Sequence, residues 1–450
     1  MTRQHHRWRQ AAVVAGIVPA LALPVGSVPA AAQGTAATAC DAPSAPITLD
    51  YWSWGAGYAD AAALWNEQNP MVQVQYSDIP VGNAGGYQKM RTAAEAGQAP
   101  DVMFLEFDTV PSFLGSGAII DIGAYAAPDQ LADFVAPILS QVALGGDGTM
   151  YAAPIGSGPM GLIYRKDLLD QHGIAVPTTW EEFATAAAKV REVDPNAYLV
   201  NWDGSGNANW FAGLASQDGA QWFNYDAGTG AWGVTVNGDE SKAVAAYWQQ
   251  LLSTDAASDL ATFSPEWSAA LANGTLWSWP TAVWGVGVIK SAAPDTGGGW
   301  AVAPLPSWGT DKPGSGSWGG GGLAVSKDSE NPCWASQFAL WMATDPGAMK
   351  IVNAAIGIYP TTNTLLADPM FAEPDPFFGG QPVFEVFKDA SANLAPFVWG
   401  PDMSDTYQAV MDGFSGSFTS GFATTLDQSL DAAQDGTVAA MTRQGYTVAQ

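Results

Sequence analysis

The sequence predicts an α/β protein of two lobes, and three observations lead there. The chain has 450 residues, too many for one core of ordinary size, and domains of roughly 100–200 residues make it two or three units. Past Pro46, stretches with the two-residue period of strands alternate with stretches that repeat apolar residues at helical spacing, the pattern of a sheet covered by helices. A content of 48% hydrophobic and only 13% charged residues is that of a folded globule, neither disordered nor coiled.

The elements follow in order. "ITLDYW", from Ile47, reads as a strand, and "YADAAALWNEQNP" as a helix stopped by Pro70. "VQVQYSDI" alternates with period two; "YQKMRTAAEAGQAP" is a second helix ended by Gly97 and Pro100; "DVMFLEF" is a third strand. Together they form a βαβαβ unit, in which ligands collect at the carboxyl ends of the strands. "WSWG" at 52–55 and "EFDTVP" at 106–111 lie at such ends. Next, "YAAPIGSGPMGLIYRKDLL" at 151–169 reads as a small-residue stretch, a strand and a helix that ends near Gly173. "TTWEEFATAAAKVREV" is a helix with Thr179 and Glu182 in capping-box spacing. A long middle section closes on the tryptophan-dense "LWSWPTAVWGVGVI" at 276–289, followed by "GSGSWGGGGLAVSK", a glycine-rich loop and a strand, and by the helix "PCWASQFALWMA".

Residues 1–40 differ in kind. Arg3, Arg7 and Arg9 precede an apolar stretch interrupted by Pro19 and Pro24, then small residues with A-x-A spacing near Ala30 to Ala32, the layout of an export signal. The protein is therefore expected at the cell surface or in the extracytoplasmic space. The formal charge of −27 becomes more negative still once this basic leader is removed. Nucleic acid is excluded as a partner, since phosphate backbones would be repelled, and neutral or cationic ligands are favoured over anionic ones. Cys40 and Cys333 are the two cysteines. Either Cys40 is a lipidated N-terminus or the pair forms a disulfide, permitted outside the cytoplasm.

Several chemistries are missing. Behind the leader stands a single histidine, His172, at the end of a predicted helix, where the helix dipole suits it. Histidine-dependent triads and zinc or copper clusters cannot be assembled from it. "GSGSWG" at 314–319 matches a dinucleotide fingerprint only formally, because it precedes a strand instead of joining a strand to a helix. "DGSGNANW" at 203–210 starts like a calcium loop but lacks the glycine at its sixth position and the glutamate at its twelfth. No cofactor or metal is expected. A carboxylate pair arranged for glycoside hydrolysis stays open, since 43 acids supply many candidates.

Twenty tryptophans fall in clusters, several among Gly, Ser, Asn and Pro. A pyranose presents a face of C–H bonds and a rim of hydroxyls, so its site needs flat apolar plates together with amides and carboxylates. A buried hydroxyl left unpaired costs about 1–3 kcal/mol, which is how such a site discriminates. Most of the tryptophans are expected to pack a core. Trp54, Trp284 and Trp318 lie beside glycine-rich or turn-like sequence, where ligand contact is the alternative. The same parts could form an aromatic cage for a betaine or polyamine.

The order of "ITLDYWSWG", "LWNEQNPMVQVQY", "YQKMRTAAEAGQAPDVMFLE", "SGAIIDI", "GTMYAAPIGSGPMGLIYRKDLLDQHGI", "VPTTWEEF", "GGLAVSKDSENP" and "GIYPTT" resembles the sugar-binding family of extracytoplasmic solute-binding proteins of ABC importers, which includes the maltose-binding protein. The resemblance covers nearly the whole chain after the leader. It implies a periplasmic-binding-protein-like fold with a ligand cleft between lobes and several crossings, placed at 41–156, 157–300, 301–355 and 356–450. It also implies a monomer that captures a neutral mono- or oligosaccharide by lobe closure, without catalysis, and delivers it to membrane permease subunits. Matching the motifs points to Trp54, Glu106, Asp108, Trp284 and Tyr407 as ligand contacts, with Asn209, Trp210 and Trp318 next and Trp279 and Trp399 after them. Leu105 stands where relatives carry an aromatic and Thr109 where they carry a basic residue, so the sugar itself is not implied. A betaine or polyamine binder and a secreted glycoside-active enzyme are the alternatives.

Overall fold

The computed structural model describes residues 38–144, 148–226, 228–312 and 314–449. The expected export signal therefore lies, but for its last three residues, outside the described residues. The expected βαβαβ unit is present. Strand β1 (Ile47–Ser53) pairs in parallel with β2 (Val72–Asp78) and with β3 (Val102–Glu106). Leu49, Tyr51 and Ser53 of β1 turn inward, as the alternation requires. Helix α1 (Tyr58–Gln68) connects β1 to β2 and buries Tyr58, Ala61, Ala62 and Trp65, one stripe at three- and four-residue spacing. The Trp65 indole donates to the Val72 carbonyl at 2.8 Å, which fastens the helix to the strand after it. Helix α2 (Gly86–Glu95) leads to β3, which is buried along nearly its whole length because it lies between β1 and the antiparallel strand Ser317–Val325.

Strand β4 (Ala153–Arg165) departs from expectation: the small-residue stretch is itself strand, and all thirteen residues are buried. Its first half pairs with Ser317–Leu323, and its second half pairs on one side with Ser278–Ala282 and on the other with Trp300–Pro304. Glycine is required where these backbones converge. A Cβ on Gly158 would lie 2.1 Å from the Trp318 carbonyl oxygen. The glycine run 319–322 is likewise strand, with a register shift between Ser317 and Gly320. Residues 359–361 also run against β4: Tyr359 accepts from the Ser157 amide at 3.0 Å, and the Thr361 hydroxyl donates to the Pro154 carbonyl at 2.6 Å.

Around the second half of β4 stands a helical layer. The helix Trp180–Val193 is capped by Thr179, whose hydroxyl accepts from the Glu182 amide at 3.1 Å; Glu182 reaches back to the Thr178 amide and hydroxyl, one residue earlier than the expected box. His172 ends the helix Lys166–His172, and its ring lies 5.3 Å from that of Trp277. Trp180, Trp202, Trp210 and Trp248 form one contiguous aromatic core there, with ring centroids 5.0–5.9 Å apart. Cys40 is joined to Cys333, on the helix Pro332–Thr344, by a disulfide. Among the described residues no helix is long and apolar enough to cross a membrane.

Candidate functional site

Residues distant in the chain meet at the carboxyl end of β3. Glu106 closes that strand, Asp108 follows it, the helix Ala208–Gln217 starts with Asn209 in its first turn, and Tyr407 projects from the helix Met403–Thr419. With Asn207, Gly319, Gly320 and Trp399 they line a cavity of about 320 Å³, within the range of about 300–1,000 Å³ usual for small-molecule sites.

The two carboxyls are held by phenols. The Tyr87 hydroxyl donates to Glu106 Oε2 at 2.6 Å, and the Tyr407 hydroxyl donates to Asp108 Oδ2 at 3.1 Å. Thr109 adds a donor to Asp108 Oδ1 at 3.2 Å. None of the ion pairs among the described residues includes either acid. Burial therefore dominates their titration. It raises the Glu106 carboxyl to about 7, with repulsion from Asp108 adding and the Tyr87 bond opposing. Burial raises Asp108 as well, against the hydrogen bonds from Tyr407 and Thr109. Both tyrosines are pushed well above the usual phenol range, so they remain donors at any physiological pH. Such a pair can accept from hydroxyls, and Glu106 in its neutral form can donate to one.

The other expected residues divide by exposure. Trp54, immediately after β1, is half-buried and meets Phe104 edge-on at 4.9 Å and Tyr87 at 5.5 Å. It reaches the carboxyl cavity through Tyr87 and does not itself line it. Trp284 is half-buried and lines a separate groove of about 820 Å³ with Phe263 and Ile356. Its indole donates to the Trp318 carbonyl at 2.9 Å, and its ring stands 4.5 Å from that of Trp318. Trp318 is buried and precedes Gly319, a residue of the carboxyl cavity, so the two hollows adjoin along this strand. Trp399 lines the cavity, and its indole donates to Gln141 Oε1 at 3.0 Å. Trp210 and Trp279 are core residues, 0% and 1% exposed. The Trp210 indole is spent on the Pro280 carbonyl at 2.8 Å, and the Trp279 ring is packed between Trp267 and Trp318.

Sequence reasoning missed Asn207, Tyr87 and Phe263. Asn207, two positions before Asn209, donates to the buried Asp203 at 2.6 Å; the polar run "GSGNAN" was its signal. Tyr87 lies on a helix that reads as purely structural. Phe263 is 51% exposed and has a φ of 68°, unusual for an aromatic residue, and nothing in the sequence marks it.

The model of the family described as bacterial extracellular solute-binding protein matches residues 52–349. A lactose-binding protein of Rhizobium radiobacter is 23% identical over 409 residues, 85% of this chain and 91% of that protein. The galacto-N-biose/lacto-N-biose I-binding protein of the ABC transporter of Bifidobacterium longum, solved in complex with lacto-N-biose, superposes with a TM-score of 0.78 at 26% identity, over 91% of this chain and all of that one. The ABC transporter-associated binding protein of B. animalis subsp. lactis with β-1,6-galactobiose gives 0.73 at 25% identity, over 90% and 100%. The fold is the α/β periplasmic-binding-protein-like fold, and a family model that spans most of the chain settles membership. The chain belongs to the bacterial extracellular solute-binding proteins, which bind their ligands without converting them.

Proposed function

We propose that this protein is the sugar-binding component of an ABC importer, capturing an oligosaccharide at the carboxyl end of β3 and presenting it to permease subunits in the membrane. The observation that carries the reading is the convergence of Glu106, Asp108, Asn209 and Tyr407 in one cavity, beside the aromatic groove of Trp284. Carboxyls, an amide and a phenol suit the hydroxyl rim of a sugar, and indole and phenyl faces suit its C–H side. Relatives named for lactose, lacto-N-biose and β-1,6-galactobiose support it. Trp210 and Trp279 are left out of the proposed site.

The first lobe is proposed to comprise residues 41–156 and a return segment up to 355, the second 157–300 and 356–450. The pairing of Trp300–Pro304 with the second half of β4 supports a return segment that starts a few residues later than 301. Asp108 and Tyr407 then belong to opposite lobes, and a ligand that touches both lobes favours the closed arrangement by its differential affinity. The protein is proposed to act as an exported monomer with Cys40 held by Cys333, so that no thiol is free to carry a lipid. An intact-mass measurement decides that point.

One observation favours a second reading: among the described residues the two acids have no ion-pair partner, which an ammonium group would supply. Titration calorimetry with tryptophan emission and small-angle scattering separates the two. The sugar reading expects saturable binding of an oligosaccharide, a changed emission spectrum, a more compact particle and recovery of the sugar unaltered. A response to betaines or polyamines with none to any sugar would overturn it.

A further inference from the structure

Beyond Asp108 lie two further cavities. Asp108 and Tyr407 also line a polar cavity of about 260 Å³ that includes Pro401, and Pro401 in turn lines a further cavity of about 510 Å³. That last cavity is walled by Tyr151, Tyr225, Trp232 and Tyr446, with Pro111 and Pro401. Pro111 and Tyr151 come from the proposed first lobe, the other four from the second, so it lies along the same seam as the carboxyl site.

Its chemistry is that of plates with donors at their edges. Tyr225 and Trp232 sit across from each other on the antiparallel hairpin formed by Phe223–Asp226 and Ala231–Val234, their rings 4.8 Å apart. The hairpin is anchored from behind, since Trp232 exchanges backbone hydrogen bonds with Thr447 and Ala449, both at 2.8 Å. Trp232 is thus fixed and 7% exposed, while Tyr225 is 40% exposed. The hydroxyls of Tyr151, Tyr225 and Tyr446 have no hydrogen-bond partner among the described residues. Among the described residues no charged side chain lines the cavity. Rigid aromatic walls with phenols unpaired among the described residues, one polar cavity away from a site for hydroxyl-rich molecules, fit a sugar ring better than an ionic group.

We propose that this aromatic cavity is a further sugar subsite, holding the outer rings of an oligosaccharide whose inner ring lies over Glu106 and Asp108. The proposal rests on the sugar-capture reading and adds to it a ligand longer than a disaccharide, with Tyr225 as the residue that senses length.

The test is titration calorimetry of the full exported chain with malto-, β-1,6-galacto- and raffinose-family oligosaccharides of two to five units. In the series that binds, affinity is expected to rise at least tenfold from two to four units. Tyr225→Ala is expected to weaken the four-unit ligand about 3- to 10-fold, the range of an aromatic contact, and to leave the two-unit ligand within about twofold; Tyr225→Phe keeps the plate and most of the gain. Because Tyr225 is exposed, the melting temperature is expected to be unchanged, which removes misfolding as an explanation. Equal affinity at all lengths overturns the proposal, as does equal weakening at all lengths. It is also overturned if Tyr225→Ala leaves sugar affinity intact but impairs uptake in cells, since the face would then serve the permease. If no sugar of any length binds the unaltered protein, the sugar-capture reading itself fails.

Discussion

Glu106→Gln separates the cost of the binding site from its benefit. In the unfolded chain a glutamate carboxyl loses its proton near 4.5; in the folded protein Glu106 loses it near 7. Between those values the unfolded state is the more ionised, so folding stability falls as pH rises through this window, and the full cost is present above it. At about 1.4 kcal/mol for each tenfold change in proton affinity, the distance from 4.5 to about 7 amounts to ~3 kcal/mol. Glutamine keeps an acceptor for the Tyr87 hydroxyl, cannot ionise, and relieves Asp108 of its neighbour's charge. The variant is expected to match the parent near pH 5 and to exceed it by up to ~3 kcal/mol near pH 8. An unfolding entropy of about 0.9 kcal/mol/K for a chain of this length turns that into a Tm difference of about 3–4 °C. Differential scanning calorimetry at the two pH values measures it. The reasoning is refuted if the variant's Tm offset is the same at both, because a purely structural effect of the substitution would not follow ionisation.

Three further outcomes are expected. Trp284→Ala removes a half-exposed plate and the donor to the Trp318 carbonyl; sugar binding should weaken at least tenfold, about 1.4 kcal/mol, and most of the emission change on binding should vanish. Gly320→Ala should lower stability by about 1–3 kcal/mol, read from the denaturant midpoint, since Gly320 has a φ of 104° and its Cβ would lie 2.7 Å from the Phe107 ring. Replacing Cys40 and Cys333 by serine opens a link across 293 residues; the loop-entropy relation puts the loss at ~6 kcal/mol, and an unchanged urea midpoint would show that the N-terminal segment is held by its other contacts.

The first five elements were legible because alternation, helical spacing and proline stops agree there, so local preference and final packing coincide. β4 was harder to read. "APIGSGP" has the composition of a loop, and it is a strand only because the strand Ser317–Leu323 beside it needs a backbone without side chains to approach. The same approach makes the glycine run 319–322 extended. Of the residues that line the carboxyl cavity, Glu106 and Asp108 were legible from their place after a strand, whereas Asn209 and Tyr407 came only from the family resemblance. Trp210 and Trp279 were not distinguishable from Trp54 and Trp284, since all four sit among small or polar residues. Their exposure is decided by Trp248 and Trp267, which reach them from other helices. Phe263 escaped notice because an exposed aromatic in a left-handed backbone leaves no compositional trace.

β4 belongs to two groups of strands without a break, and this limits how the molecule can work. An extended, fully paired segment has no slack, so turning one half against the other must be absorbed as twist spread along a ladder of hydrogen bonds. On the proposed division into lobes, β4 would therefore be the torsional link between them, and opening and closing would be taken up as twist along its ladder of hydrogen bonds.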